Sequence, residues 1–133
     1  MTNEIVDWVT ARSKCSMGII FEKLRKQVEE DVAIRQKIQQ ESANRYYAFK
    51  FSDTGKDSFS VLVEGNRIYG TVRFDWIDSA IHVSNRDGKQ LLMATLTLNL
   101  EGECRIKIND QEYEMWQFRK MALESLFFNE PKP

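Results

Sequence analysis

His82 is the only histidine of the chain, and it is the one side chain that could supply imidazole acid–base chemistry near neutral pH. Strand alternation predicts Thr71, Met93 and Ala80 as its neighbours, and none of them offers a carboxylate that could orient the ring. We therefore predict a structural histidine bonded to a hydroxyl. The alternative is a small enzyme that uses His82 with Arg73 and neighbouring hydroxyls in a cleft.

The two cysteines, Cys15 and Cys104, have no second cysteine or histidine at metal-ligand spacing, so no metal site and no cofactor is predicted. Cys104 falls on the apolar side of a predicted strand, where a thiol behaves as a small hydrophobe. Cys15 directly precedes a predicted helix. We expect both residues to be reduced, unreactive thiols.

The charge balance argues against a polyanionic partner. The chain has 19 basic and 20 acidic residues, so neither nucleic acid nor an anionic membrane is an expected partner. No apolar run approaches the roughly 20 residues that span a bilayer. The first residues also lack the basic and apolar segments of a signal peptide. We expect a single cytoplasmic domain over residues 1–133.

Helical periodicity marks the first third of the chain. Thr2 and Asn3 are N-cap types ahead of a short first helix that is predicted to end near Ala11, and Ser16 is expected to begin a longer second helix. One face of that helix carries an apolar stripe, which we expect to pack on the sheet that follows. The stripe consists of Met17, Phe21, Leu24, Val28 and Val32.

Asp31 and Arg35 lie on or beside this stripe, four positions apart. They have two interpretations: an ion pair within the helix, or a polar pair that faces a ligand cavity between the helix and the sheet.

The segment from Tyr46 to Ile108 predicts one antiparallel meander, since its turn signals and apolar alternation agree. Two-residue turns are expected at Gly65-Asn66 and Asp87-Gly88, and a further turn is expected around Trp76-Ile77. The predicted pairs are Val61 with Gly70, Val72 with Ile81, Val83 with Leu92 and Leu98 with Ile106. Residues 112–115 form either a seventh strand or the approach to a last helix over 116–128. The fold class is therefore α+β, with two N-terminal helices, a curved antiparallel meander of six or seven strands and one C-terminal helix.

Gly70 leaves a gap in the apolar inner face of this sheet. A glycine within a strand often marks a bend or a close approach by another element, here strong curvature of the sheet or close packing of the long helix; the alternative is a small apolar cavity between the long helix and the sheet. Both interpretations stay open, and the second makes Gly70, Asp31 and Arg35 the candidate ligand-binding residues.

The outer face of the sheet carries few charges, although a solvated face normally has many. Its candidate interface residues are Leu62, Tyr69, Thr71, His82, Leu91 and Met93. We infer that this face is covered, either by the chain's own helices or by a second copy. The sequence thus predicts a non-enzymatic binding or interaction domain, expected to be a homodimer, that takes a protein partner or a small apolar ligand.

Overall fold

Three helices and seven strands follow one another along the chain in the computed structural model, which describes residues 6–42 and 46–129. The elements are α1 (Trp8–Lys14), α2 (Met17–Gln40), β1 (Ala48–Gly55), β2 (Ser58–Glu64), β3 (Ile68–Ile77), β4 (Ala80–Asn85), β5 (Gln90–Leu98), β6 (Cys104–Ile108), β7 (Gln111–Tyr113) and α3 (Met115–Phe128). The strands form one antiparallel sheet in sequence order, β1 to β7. The predicted α+β fold with a meander sheet is confirmed, and Gln111–Tyr113 settles the open question in favour of a seventh strand.

The apolar stripe of α2 lies in the core, as predicted. Phe21, Leu24, Val28 and Val32 are at most 4% exposed, and Met17 is partly buried beside them. They pack against the inner face of the sheet together with Phe118, Ala122 and Leu123 of α3. Two helices therefore share one face of the sheet. The predicted caps of the first helix, Thr2 and Asn3, lie outside the described residues, and Asp7 caps α1 by accepting a bond from the backbone N–H of Thr10.

Two hairpin loops share a construction that the sequence analysis missed. In each, an Asn side chain accepts two backbone N–H bonds and a Gly three residues later has a φ of 81°: Asn85 with Gly88, and Asn99 with Gly102. The loop after Asn85 is therefore longer than the predicted two-residue turn. A bulge between Val83 and Ser84 compensates for the extra residue, so Val83 still pairs with Leu92 as predicted.

The other predicted pairings are wrong, and each is displaced by an even number of positions. Val61 pairs with Val72 and Val63 with Gly70, because the pairing shifts at a bulge between Val63 and Glu64, next to the β2–β3 loop. The β3–β4 turn lies at Asp78-Ser79, where Asp78 has a φ of 55°, and not at Trp76-Ile77. Even shifts keep every side chain on its predicted face but change its cross-strand neighbours.

A disulfide joins Cys15 to Cys104, with an S–S distance of 2.06 Å across a sequence separation of 89. The expectation of two reduced thiols is therefore wrong. Cys15 is 1% exposed at the end of α1, and Cys104 begins β6. No side chain within α1 itself is buried, so this bond is the main attachment of α1 to the sheet. None of the helices in the described ranges is long and apolar enough to cross a bilayer.

Candidate functional site

Asp31 and Arg35 do not pair with each other; both reach across to α3. Nε of Arg119 donates to Asp31 at 2.7 Å, and a second guanidinium nitrogen of Arg119 donates to Gln27 at 2.7 Å. Nε of Arg35 donates to the backbone carbonyl of Phe127 at 2.8 Å. The interpretation as an ion pair within one helix is thus wrong. The two residues instead tie α2 to α3.

Arg35 is a buried charge whose environment is complete. It is 7% exposed, and its guanidinium carbon lies 4.3 Å from the ring centroid of Phe49 and 5.1 Å from that of Phe128. A further nitrogen donates to Gln39 at 3.2 Å. Hydrogen bonds and ring faces together offset the cost of removing this cation from water. Arg35 is therefore part of the helix–helix junction.

Above this junction lies a groove of about 320 Å³, which we call the α2–α3 groove. Its rim carries four large apolar side chains: Ile34 (60% exposed), Ile38 (49%), Trp116 (53%) and Phe128 (61%). Polar side chains at the groove belong to Asp31, Arg35, Arg119, Lys120 and Glu124. Lys120 donates to Glu124 at 2.9 Å, and both of these side chains are 58% exposed. The groove is thus an open apolar surface whose lining carries three basic and two acidic side chains.

One signal for this groove is present in the sequence of α2. Ile34 and Ile38 are four positions apart on α2 but lie away from the buried stripe, so they form a second apolar row. The C-terminal helix is apolar over most of its circumference, so the pattern does not separate buried Phe118 from exposed Trp116. Only the packing of α3 on α2 brings the two rows together.

Gly70 does not open a cavity toward α2, because Leu126 of α3 occupies the space above it. A Cβ added at Gly70 would lie 2.8 Å from Cδ1 of Leu126. The interpretation of close packing by another element is the one that the structure supports, although the element is α3. A cleft of about 530 Å³ lies beside this contact, and Tyr69, Thr71 and Leu91 line it together with Gly70.

The outer face is only partly covered by the described part of the chain. Leu91 and Met93 are 42% and 47% exposed, while Leu62, Tyr69, Thr71 and His82 are partly buried. Both long helices pack on the opposite face. Intramolecular cover, one of the two explanations offered for the low charge of this face, therefore accounts for the part where Ser58 and Ser60 are buried and leaves Leu91 and Met93 open.

His82 has an acidic neighbour, contrary to the prediction. It lies opposite Asp75, because the β3–β4 turn comes two positions later than predicted, and Met93 is its neighbour on the other side. Asp75 accepts from Nε of Arg73 at 3.0 Å, and Nδ1 of His82 lies 2.8 Å from Oε1 of Gln90. Each polar group is thus already engaged in a neighbouring contact. This arrangement is typical of cross-strand side-chain contacts that stabilise the register of a sheet. It does not favour a role for His82 as a general base.

In the two described ranges, no group of three or more His, Cys, Asp or Glu side chains is placed to hold a metal ion. The comparisons with known proteins add no functional assignment. No protein-family model, no curated protein and no solved structure matches this chain. Functional inference therefore depends on the geometry of the chain itself.

Proposed function

We propose that this chain is a non-enzymatic interaction domain that forms a homodimer through the α2–α3 groove. The observation that supports this proposal is the exposure of Ile34, Ile38, Trp116 and Phe128 around one groove. Four such side chains leave on the order of 500 Å² of apolar surface open, as much as the largest patch on a typical monomer, and such patches are often functional. An open groove of about 320 Å³ is small for a ligand pocket but suits helix packing.

A second copy is the occupant that fits this surface best. In an isologous contact the same surface of both copies meets across a two-fold axis. Lys120 of each copy can therefore face Glu124 of the other copy. The formal charge of the chain is -1, so two copies repel each other little. The exposed apolar area, on the order of 500 Å², is more than half of the ~800 Å² that each partner contributes to a standard interface.

The outer face of the sheet is the second surface that a dimer could use. Only Leu91 and Met93 among its predicted interface residues are exposed, and the charged Arg73–Asp75 pair lies two strands away on the same face. The α2–α3 groove has the larger exposed apolar side chains, which is why we place the dimer there.

Analytical ultracentrifugation of matched variants tests the proposal. At ~50 µM, a concentration at which an interface of standard size is populated, wild type should sediment as a dimer. Ile34→Glu should be a monomer with an unchanged circular dichroism spectrum, since Ile34 is 60% exposed and contributes little to the core. Met93→Glu on the outer face is the matched control and should stay dimeric. A monomeric wild type contradicts the proposal, and so does a dimer that only Met93→Glu dissociates.

The Cys15–Cys104 bond argues against the cytoplasmic location expected from the sequence, and the proposal therefore places the protein in an oxidising compartment. Disulfides persist in oxidising compartments and are rare where glutathione keeps thiols reduced. A count of free thiols in protein that is alkylated at the moment of cell lysis decides between the reducing cytoplasm and an oxidising compartment.

A further inference from the structure

A cleft of about 530 Å³ lies where strand β3 extends beyond the end of its neighbour β4. Strand β3 pairs with β4 from Val72, opposite Asn85, to Ile77, so Ile68–Thr71 runs past the end of β4. The β4–β5 loop and the C-terminal turn of α3 form the other two walls of the cleft. Its volume is typical of small-molecule sites, which occupy about 300–1,000 Å³.

The floor of this cleft is apolar. Gly70 pairs with Val63 there, and its missing side chain leaves the space that Leu126 of α3 occupies. Leu126 is itself only partly buried, and Leu91, which is 42% exposed, lines the cleft on the side of β5. These side chains offer an apolar surface on which an aliphatic group of a ligand can pack.

Two opposite charges, Arg86 and Asp87, line the cleft on the side of the β4–β5 loop. The side chain of Asn85 accepts from the backbone N–H groups of Asp87 and Lys89, both at 3.0 Å, and thereby fixes this loop. A guanidinium nitrogen of Arg86 also donates to the carbonyl of Ile68, which holds the cation against β3. A guanidinium has five N–H donors, so Arg86 can still bind a carboxylate. The cation is therefore positioned before a ligand arrives, which lowers the cost of binding.

The charges of this cleft are available to a ligand, unlike those of the other clefts. At the α2–α3 groove, both cations of α3 are paired with carboxylates. In the cleft between β5 and the β6–β7 turn, Lys107 contacts Asp110. Within residues 6–42 and 46–129, neither Arg86 nor Asp87 forms an ion pair. This cleft thus combines an apolar floor with one unpaired cation and one unpaired anion.

We propose that this cleft binds a small zwitterion, an α-amino acid with an apolar side chain, independently of the dimer surface. The carboxylate of the ligand binds the guanidinium of Arg86, and its ammonium group binds the carboxylate of Asp87. Its side chain packs against Leu126 and Leu91. Both charges of an α-amino acid are attached to one carbon atom, which matches two opposite charges at adjacent positions of a loop. A ligand with a single charge would satisfy only one of the two residues.

An NMR titration of isotope-labelled protein with L-leucine tests the proposal. We expect a dissociation constant on the order of 1 mM or lower, and shifts of the amide signals of Gly70, Thr71 and Asp87. N-acetyl-leucine lacks the ammonium group and leucinamide lacks the carboxylate, so each should bind on the order of tenfold more weakly than leucine.

Two variants assign the charges of the ligand to the two residues. Arg86→Gln should weaken the binding of leucine on the order of tenfold and leave that of leucinamide unchanged. Asp87→Asn should weaken leucine to a similar degree and leave N-acetyl-leucine unchanged, and it breaks none of the side-chain hydrogen bonds that hold the loop. Lys107→Gln, which lies outside the cleft, is the matched control and should bind leucine as wild type does.

Several results would overturn the proposal. These are an absence of shifts with ~20 mM leucine, which is well above the expected dissociation constant, and shifts that are confined to residues outside the cleft. Equal binding of leucine and its two derivatives would also contradict it, because neither charge would then matter. So would leucine binding that Arg86→Gln and Asp87→Asn both retain unchanged.

Discussion

Single residues in this protein act through contacts that sequence spacing does not reveal. Gly70 was recognised as a gap from its position among apolar strand residues, but the side chain that fills the gap, Leu126, lies on a helix 56 positions away. Arg35 was recognised as a charge beside the apolar stripe, yet its acceptor is the carbonyl of Phe127. The pattern of the sequence identifies unusual positions; their partners depend on how α3 docks.

Gly70→Val should destabilise the protein by about 1–3 kcal/mol, because its side chain would enter the space held by Leu126. Adding Leu126→Ala should relieve the overlap, so the double variant should lose less stability than the two single variants added together. Urea unfolding of the four proteins measures this coupling. Strictly additive losses would show that Leu126 does not limit the side chain at position 70.

At the scale of elements, local sequence patterns predict which side chains share a face of the sheet and which form the apolar stripe of α2. They do not predict how α1 is attached to the sheet. Two cysteines separated by 89 positions carry no spacing signal, so their pairing is visible only after the sheet brings β6 beside the end of α1. Besides the disulfide, Val6 touches the loop at Gly102, where a Cβ would lie 2.8 Å from Cγ1 of Val6. Helix α1 is thus held at its end rather than along a face.

Replacing both cysteines, Cys15→Ser with Cys104→Ser, should release α1 while the sheet remains folded. The amides of α1 should lose hydrogen-exchange protection, and α2 should keep its own, because α2 is held by the core. Losing a cross-link over so long a loop should lower the free energy of unfolding by roughly 2–5 kcal/mol. Wild type treated with a reductant is the matched control and should behave the same way. Equal protection of α1 in the oxidised and cysteine-free proteins would contradict this account.

At the scale of the whole molecule, the sequence predicted the order of elements and the two sides of the sheet, because period-2 alternation survives any even shift of register. It did not predict most of the cross-strand neighbours, since the bulge at Val63 and the position of the β3–β4 turn depend on loop geometry. The sequence also did not predict the α2–α3 groove. The type of an apolar residue does not show whether the packed structure will bury its side chain or leave it exposed.

The proposed dimer makes stability depend on protein concentration. Raising the concentration tenfold should stabilise the dimer against unfolding to two chains by about 1.4 kcal/mol, so its midpoint temperature should rise. Ile34→Glu should show one midpoint at every concentration. Calorimetry over a hundredfold range measures both, and a wild-type midpoint that stays constant would count against the dimer.

The Cys15–Cys104 bond also determines how the chain would respond to mechanical force. A force applied to the two ends of the chain is transmitted through the disulfide. Helix α2 and strands β1 to β5 lie between the two cysteines and therefore bear none of this force. Only the segments before Cys15 and after Cys104 can be stretched while the bond is intact. Breaking it places the 89-residue span under tension and adds about 300 Å of extensible chain. Reduction of the disulfide would therefore increase the length to which force can extend this chain.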